Sequence, residues 1–89
     1  MFGPFLTASQ FDDIFLQIEK MIDAHPRLRR LPGQSPTIDV SRDGFTLRIA
    51  VKVLRSRKKP TSIHQYGETP AEALEALAYA LDSWASVLA

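Results

Sequence analysis

The sequence predicts an α+β fold in the order α-β-β-β-α, with a three-stranded antiparallel sheet and two helices packed on one face. Two segments, residues 9–25 and 69–88, carry apolar side chains at helical spacing. Between them, residues 45–53 place apolar side chains at every second position, which is typical of a half-buried strand. Each helix has one apolar stripe and the sheet has one apolar face, so we expect a single domain over residues 1–89.

The first helix is predicted over residues 9–25, after an N-terminal arm formed by residues 1–8. Two capping boxes are available at its start, Thr7 with Gln10 and Ser9 with Asp12. The helix should end before Pro26, because the residue that precedes a proline avoids the helical region. Its apolar stripe consists of Phe11, Ile14, Phe15, Ile18 and Ile22, with Met21 as a further candidate.

A basic loop is expected over residues 26–36, which contain three prolines, and the sheet over residues 37–66. Asp43 and Gly44 are typical of a two-residue type I′ hairpin turn. That turn would pair the first two strands as Val40 opposite Leu47, Ile38 opposite Ile49 and Asp39 opposite Arg48. The inward side chains of the second strand would be Phe45, Leu47, Ile49, Val51 and Val53.

The second helix, residues 69–88, carries the strongest local signals in the chain. Thr69 is the expected N-cap, Pro70 occupies the first helical position and Glu72 completes a capping box. The residues on its apolar face are Leu74, Leu77, Ala78, Leu81, Trp84, Ala85 and Leu88. We therefore expect this helix to cover the sheet.

Charge is segregated along the chain, although the formal net charge is only +1. Residues 27–59 hold ten lysines and arginines against two aspartates, whereas residues 60–89 hold four carboxylates and no lysine or arginine. Cysteine is absent, and no apolar run is long enough to cross a membrane. The N-terminus lacks the features of a signal peptide, so we expect a cytoplasmic protein with no membrane partner.

The basic segment supplies the first candidate binding surface. Its members lie on the expected open face of the sheet, in the basic loop of residues 26–36 and in a second basic loop over residues 55–60. They are Arg29, Arg30, Arg48, Lys52, Arg55, Arg57, Lys58 and Lys59. Clustered arginines and lysines suit an anionic partner, which would be a nucleic acid or an acidic protein.

The alternative surface is the outer face of the second helix. Tyr79 lies off the apolar stripe and is surrounded by Glu72, Glu75 and Asp82. An acidic surface with one tyrosine suits a basic protein or a second copy of the chain, so homodimerisation is one form of this alternative.

No arrangement of residues predicts catalysis. The only histidines are His25 and His64, and their positions give no metal-ligand spacing. Ser62 and His64 share a strand face without a nucleophile motif around the serine, and no phosphate-binding glycine loop is present. We therefore interpret the chain as a non-catalytic binding module without metal or cofactor. It would regulate or inhibit another macromolecule, as an antitoxin or a phage-encoded inhibitor does.

One stretch carries a resemblance to known families. The turn Gly67-Glu-Thr69-Pro-Ala-Glu72-Ala73, leading into an alanine-rich helix, resembles the double-stranded RNA-binding domain and the partial form of that fold in HicB-type antitoxins. The resemblance implies the α-β-β-β-α fold. The RNA-binding family grips phosphate with lysines at the start of the final helix, where this chain has Pro70, Ala71 and Glu72. The resemblance therefore does not extend to that mode of RNA binding.

Overall fold

The computed structural model describes residues 6–57 and 59–87, and within them the chain is an α+β protein. Two helices and a four-stranded antiparallel sheet follow one another as α1 Ala8–Asp23, β1 Leu28–Arg30, β2 Thr37–Val40, β3 Phe45–Val53, β4 Thr61–Gly67 and α2 Pro70–Val87. Three predicted features lie outside the described residues, namely residues 1–5 of the arm, Lys58 and Leu88.

The sheet is built around β3, and it contains one strand more than the sequence predicts. β4 pairs with one edge of β3, while β1 and β2 lie end to end along the other edge. Arg30 pairs with Val51 and Thr37 with Arg48, so residues 31–36 loop out opposite only two residues of β3. The predicted basic loop over residues 26–36 is therefore wrong at residues 28–30, which form a strand paired with β3.

The first hairpin has a longer loop than the sequence predicts. Val40 pairs with Phe45 and Ile38 with Leu47, so the loop has four residues, Ser41 to Gly44, and Ser41 N donates to Gly44 O at 2.9 Å. A type I′ turn needs positive φ at Asp43 and Gly44, and neither has it. The predicted pair of Asp39 and Arg48 is wrong, because Thr37 lies opposite Arg48. The register differs by two residues, so each side chain keeps its face.

Capping side chains fix the start of both helices. Thr7 caps α1 by accepting from Gln10 N at 3.2 Å, and Gln10 Oε1 accepts from Thr7 N at 2.9 Å, which selects one of the two predicted capping boxes. At α2, Thr69 Oγ1 accepts from Glu72 N at 3.1 Å. The Glu72 carboxylate accepts from Glu68 N rather than from the N-cap itself, at 3.2 Å.

The core lies between one face of the sheet and the two helices. The five inward residues of β3 are all buried, as predicted. They pack with Leu28 of β1 and with one stripe from each helix, which consist of Ile14, Ile18, Ile22, Ala73, Leu77, Leu81 and Ala85. Phe11, Phe15 and Met21 are only partly buried, at the margin of the stripe predicted for α1. Because the core occupies one face, the described helices leave the other face of the sheet open.

Gly67 lies where β4 turns closely into α2. A Cβ on Gly67 would be 2.7 Å from the Ala73 Cα and closer still to the Ala73 N. Gly44 packs on the same corner, since a Cβ there would meet Gly67 O and the Tyr66 ring. Glycine at residue 67 therefore allows the first turn of α2 to lie against the end of the sheet.

Candidate functional site: the open face of the sheet

The open face is formed by the side chains that alternate with the core residues along each strand. Four cross-strand rows of partners define it. In order along β3 they are Asp39 with Thr46 and Tyr66, Thr37 with Arg48 and His64, Ala50 with Ser62, and Arg29 with Lys52. Lys52 in the last row lies six residues after Thr46 in the first row, which is about 20 Å in an extended strand. No helix covers this face within the described residues, because both helices pack on the opposite side.

One end of the open face, where β3 ends, is strongly cationic, and we call it the basic end. It comprises Arg27, Arg29, Lys52, Arg55, Arg57 and Lys59. Arg29 lies directly opposite Lys52, and Leu54 N donates to Arg27 O at 2.7 Å, which continues the ladder by one residue. Like charges directly opposite each other destabilise a sheet. None of these six residues forms an ion pair with another described residue.

Arg30 is next to Arg29 in sequence but lies on the other side of β1. Its Nε and Nη2 donate to the two carboxylate oxygens of Asp23 at 2.8 and 2.9 Å, and its Nη1 donates to Glu19 at 3.0 Å. The hydrogen bond from Arg30 outweighs desolvation and lowers the pKa of the Asp23 carboxyl below its usual value. Arg30 therefore ties β1 to α1 and does not join the other predicted site residues.

Arg55 has a backbone conformation that arginine rarely adopts. Its φ is 62°, and no other non-glycine residue of the described chain has a positive φ. The left-handed region costs roughly 1–2 kcal/mol for a residue with a Cβ. A glycine would avoid that cost, so the strained position holds a cation at the basic end at the expense of stability.

The opposite end of the open face is acidic, and we call it the acidic end. It comprises Asp39, Asp43, Glu68 and Glu72, with Arg42 as the one cation nearby. The Tyr66 hydroxyl donates to Asp43 O at 2.6 Å. Desolvation, followed by the carboxylates Asp43, Glu68 and Glu72, raises the pKa of the Tyr66 phenol. The Tyr66 ring, the aromatic side chain on this face best suited to stack on a base, therefore lies at the end away from the cations.

Only part of the acidic surface predicted on α2 comes together. Glu72, Glu75 and Tyr79 line a shallow depression with Ala76, and Tyr79 is 77% exposed. Asp82 instead contacts the segment that follows α1, because its carboxylate lies 3.2 Å from His25 Nε2. His25 Nδ1 accepts from Arg27 N at 3.1 Å, which assigns the proton to Nε2 and lets that nitrogen donate to Asp82. His25 thus links the two helices and the start of β1.

Ser62 and His64 are both exposed on β4, and His64 lies opposite Arg48 rather than a carboxylate. Residues 6–57 and 59–87 contain no group of three side chains suited to hold a metal ion. The same part of the chain has no helix that is long and apolar enough to span a membrane.

The sequence predicts a basic surface, but it does not predict which residues form the basic end. The run of cations in residues 27–59 indicates a basic surface. The placement of Arg29 and Arg30 on opposite faces depends on β1, a strand that the sequence does not predict. Arg27 joins the basic end because Leu54 N donates to its carbonyl oxygen, a contact that no local sequence pattern predicts.

Comparison with known proteins gives no relative. No protein-family model, no curated protein and no solved structure matches this chain.

Proposed function

We propose that the chain is a non-catalytic binding module whose basic end contacts the phosphate backbone of a nucleic acid. The observation that supports this most directly is Arg29 facing Lys52 on an open sheet face, with no carboxylate paired to either among the described residues. A phosphate between the two side chains would turn a destabilising like-charge pair into two charge-assisted contacts. A regulatory role and a cytoplasmic location are part of this proposal.

The chemistry of the basic end favours phosphate over an acidic protein. Four of its six members are arginines, whose planar guanidinium groups can bind phosphate in a bidentate manner. Protein interfaces usually have an apolar centre, and Leu54 is the one large apolar side chain beside these cations. Tyr66, the aromatic candidate for stacking, lies about 20 Å away in the first row of the face. Binding should therefore depend on charge and show little sequence preference.

The direct test is a fluorescence polarisation titration of the protein with labelled duplex and single-stranded DNA and RNA at several salt concentrations. If about four phosphates of a DNA duplex are contacted, the logarithm of the binding constant should fall against the logarithm of salt with a slope of about −3 to −4. Absence of binding at low salt, where phosphate contacts are strongest, would contradict the proposal.

Matched charge reversals make this test specific for the basic end. Arg29→Glu and Lys52→Glu should each weaken binding at least about tenfold, because each puts a carboxylate where phosphate is expected. Arg42→Glu and Lys20→Glu change the charge equally, but at the other end of the sheet and on α1, and should leave affinity nearly unchanged. Equal losses in all four variants would show only a response to net charge and would contradict a localised site.

The depression beside Tyr79 supports a second candidate, a basic protein partner on α2. Tyr79 is the most exposed of the large apolar and aromatic side chains that the structure describes, and Glu72 and Glu75 flank it. Tyrosine is enriched at the centres of protein interfaces. Tyr79→Ala should abolish capture of such a partner and leave nucleic-acid binding unaffected. The resemblance to the double-stranded RNA-binding domain stays a prediction under either candidate.

A further inference from the structure

β4 is an edge strand without the features that usually protect an edge. It pairs with β3 along all seven of its residues, and no described strand pairs with its other side. Proteins usually blunt such edges with charged residues, prolines or interruptions. The opposite edge of this sheet has an interruption, because residues 31–36, with Pro32 and Pro36, separate β1 from β2. β4 contains no charged residue and no proline.

The surface beside this edge is suited to close approach. A shallow depression runs between β4 and α2, and its lining includes Ile63, Ala80, Ser83 and Trp84. Ile63 and Trp84 are partly buried against the core, so the edge continues directly into apolar surface. Ala80 and Ser83 have small side chains, which would let another helix pass close to α2. A strand added to β4 would therefore bring its own covering layer into contact with α2.

The two ends of β4 carry opposite charge. Lys59 lies two residues before the strand begins, and Glu68 follows its last residue. The basic end and the acidic end of the open face continue the same polarity across the sheet. A second copy running antiparallel would place its acidic end beside the basic end of the first, whereas a parallel copy would place like charges together. Charge complementarity thus selects a second copy of this chain in the antiparallel orientation.

We propose that two copies of the chain pair through β4 around a two-fold axis at His64. With the axis at His64, all seven residues of β4 pair, and Thr61 lies opposite Gly67 of the second copy. Lys59 then lies beside Glu68 of that copy at both ends of the paired strands. Opposite residues in antiparallel strands share a face. The eight strands of the dimer would therefore form one sheet, with all four helices on one side and both open faces on the other. This pairing goes beyond the proposed function and does not depend on it.

Sedimentation velocity on the full chain tests the pairing. Wild type should sediment at twice the monomer mass of 10.0 kDa at high concentration and shift to monomer on dilution. Hydrogen exchange of the amides of residues 61–67 should slow as the dimer forms. A wild-type chain that stays monomeric at every concentration, or a dimer without slower exchange in β4, would overturn the proposal.

A charge swap identifies the interface. Lys59→Glu and Glu68→Lys each put like charges together twice in the dimer, so each should raise the dissociation constant about tenfold. The double variant restores opposite charges and should recover most of the lost affinity. Lys20→Glu, on the exposed side of α1, should dimerise as wild type does.

Both substituted residues are exposed, so circular dichroism should confirm that every variant is folded. Folded single variants that dimerise normally, or a folded double variant that fails to recover, would overturn this interface. The readouts are mass and exchange, so loss of dimerisation can be told apart from loss of nucleic-acid binding.

Discussion

Arg55 lowers the stability of the fold through its backbone conformation and contributes a positive charge to the proposed site. Because its φ is 62°, Arg55→Gly should raise the free energy of unfolding by about 0.5–1 kcal/mol. The same change should weaken nucleic-acid binding, since it removes one cation from the basic end. Arg57→Gly is the matched control, since it removes the same charge from the same loop without relieving a positive φ. Denaturant unfolding and polarisation titrations of both variants check this, and equal stabilities would contradict it.

Gly67 is required by a backbone contact rather than by a turn conformation. A Cβ there would lie 2.7 Å from Ala73 Cα, so Gly67→Ala should shift the start of α2 and lower the free energy of unfolding by about 3 kcal/mol. Gly33→Ala is the comparison, because Gly33 has a φ of 75° but open space around it. That variant should lose only about 1–2 kcal/mol, which is the cost of the left-handed conformation. A Gly67→Ala protein as stable as wild type in denaturant would refute the contact.

At the scale of elements, the Arg30 ion pairs connect α1 to β1. The lowered pKa of Asp23 means that this connection stabilises the fold fully above the unfolded value near 3.8 and is lost as pH falls through the folded value. Arg30→Met should therefore be less stable than wild type at neutral pH, and the difference should shrink on acidification below about pH 4. Unfolding experiments across this range measure the difference, and a constant value would contradict the assignment.

Elements with local signals could be predicted from the sequence, and elements fixed by distant contacts could not. Thr7 and Pro26 bracket α1, and Thr69 and Pro70 mark the start of α2. The predicted starts of both helices and the predicted end of α1 therefore lie within two residues of the observed ones. β1 is only three residues long and is flanked by Pro26 and Pro32. It is a strand because it pairs with β3, and no local sequence pattern indicates that pairing.

The hairpin register illustrates the same limit. Asp43 and Gly44 match a two-residue turn, but Gly44 is needed because the Tyr66 ring and Gly67 O approach it closely. A four-residue loop brings Gly44 to that corner. The two-residue difference preserves the faces, which is why the inward residues of β3 are correct although the predicted partners are wrong.

For the candidate site, the charge content could be predicted from the sequence, whereas the positions of the charges could not. The excess of cations in residues 27–59 is evident from the sequence, and so is the acidic character of α2. The division of the open face into a basic and an acidic end depends on strand pairing, because Asp39 is brought beside Thr46 and Arg29 beside Lys52. Without β1, Arg29 and Arg30 cannot be told apart, and Arg27 has no place in the site.

At the scale of the whole molecule, the sheet has one face covered by the helices and one open face. The open face is basic at one end and acidic at the other. The covered face explains the fold, since one apolar layer from each helix meets the five inward residues of β3. We propose that the basic end of the open face contacts an anionic partner and that the uncharged edge of β4 pairs with a second copy. In such a dimer the two basic ends would lie at opposite corners of one continuous face.

The measurement that tests the central claim most directly is a nuclear magnetic resonance titration of the isotope-labelled chain with a short DNA or RNA duplex. Contact through the basic end should shift the amide resonances of residues 27–29 and 52–57 first, and those of the acidic end and of α2 little. Because phosphate contacts are screened, added salt should reverse the shifts. Shifts confined to residues 72–82, or no shifts at low salt, would contradict the assignment of the basic end as the nucleic-acid surface.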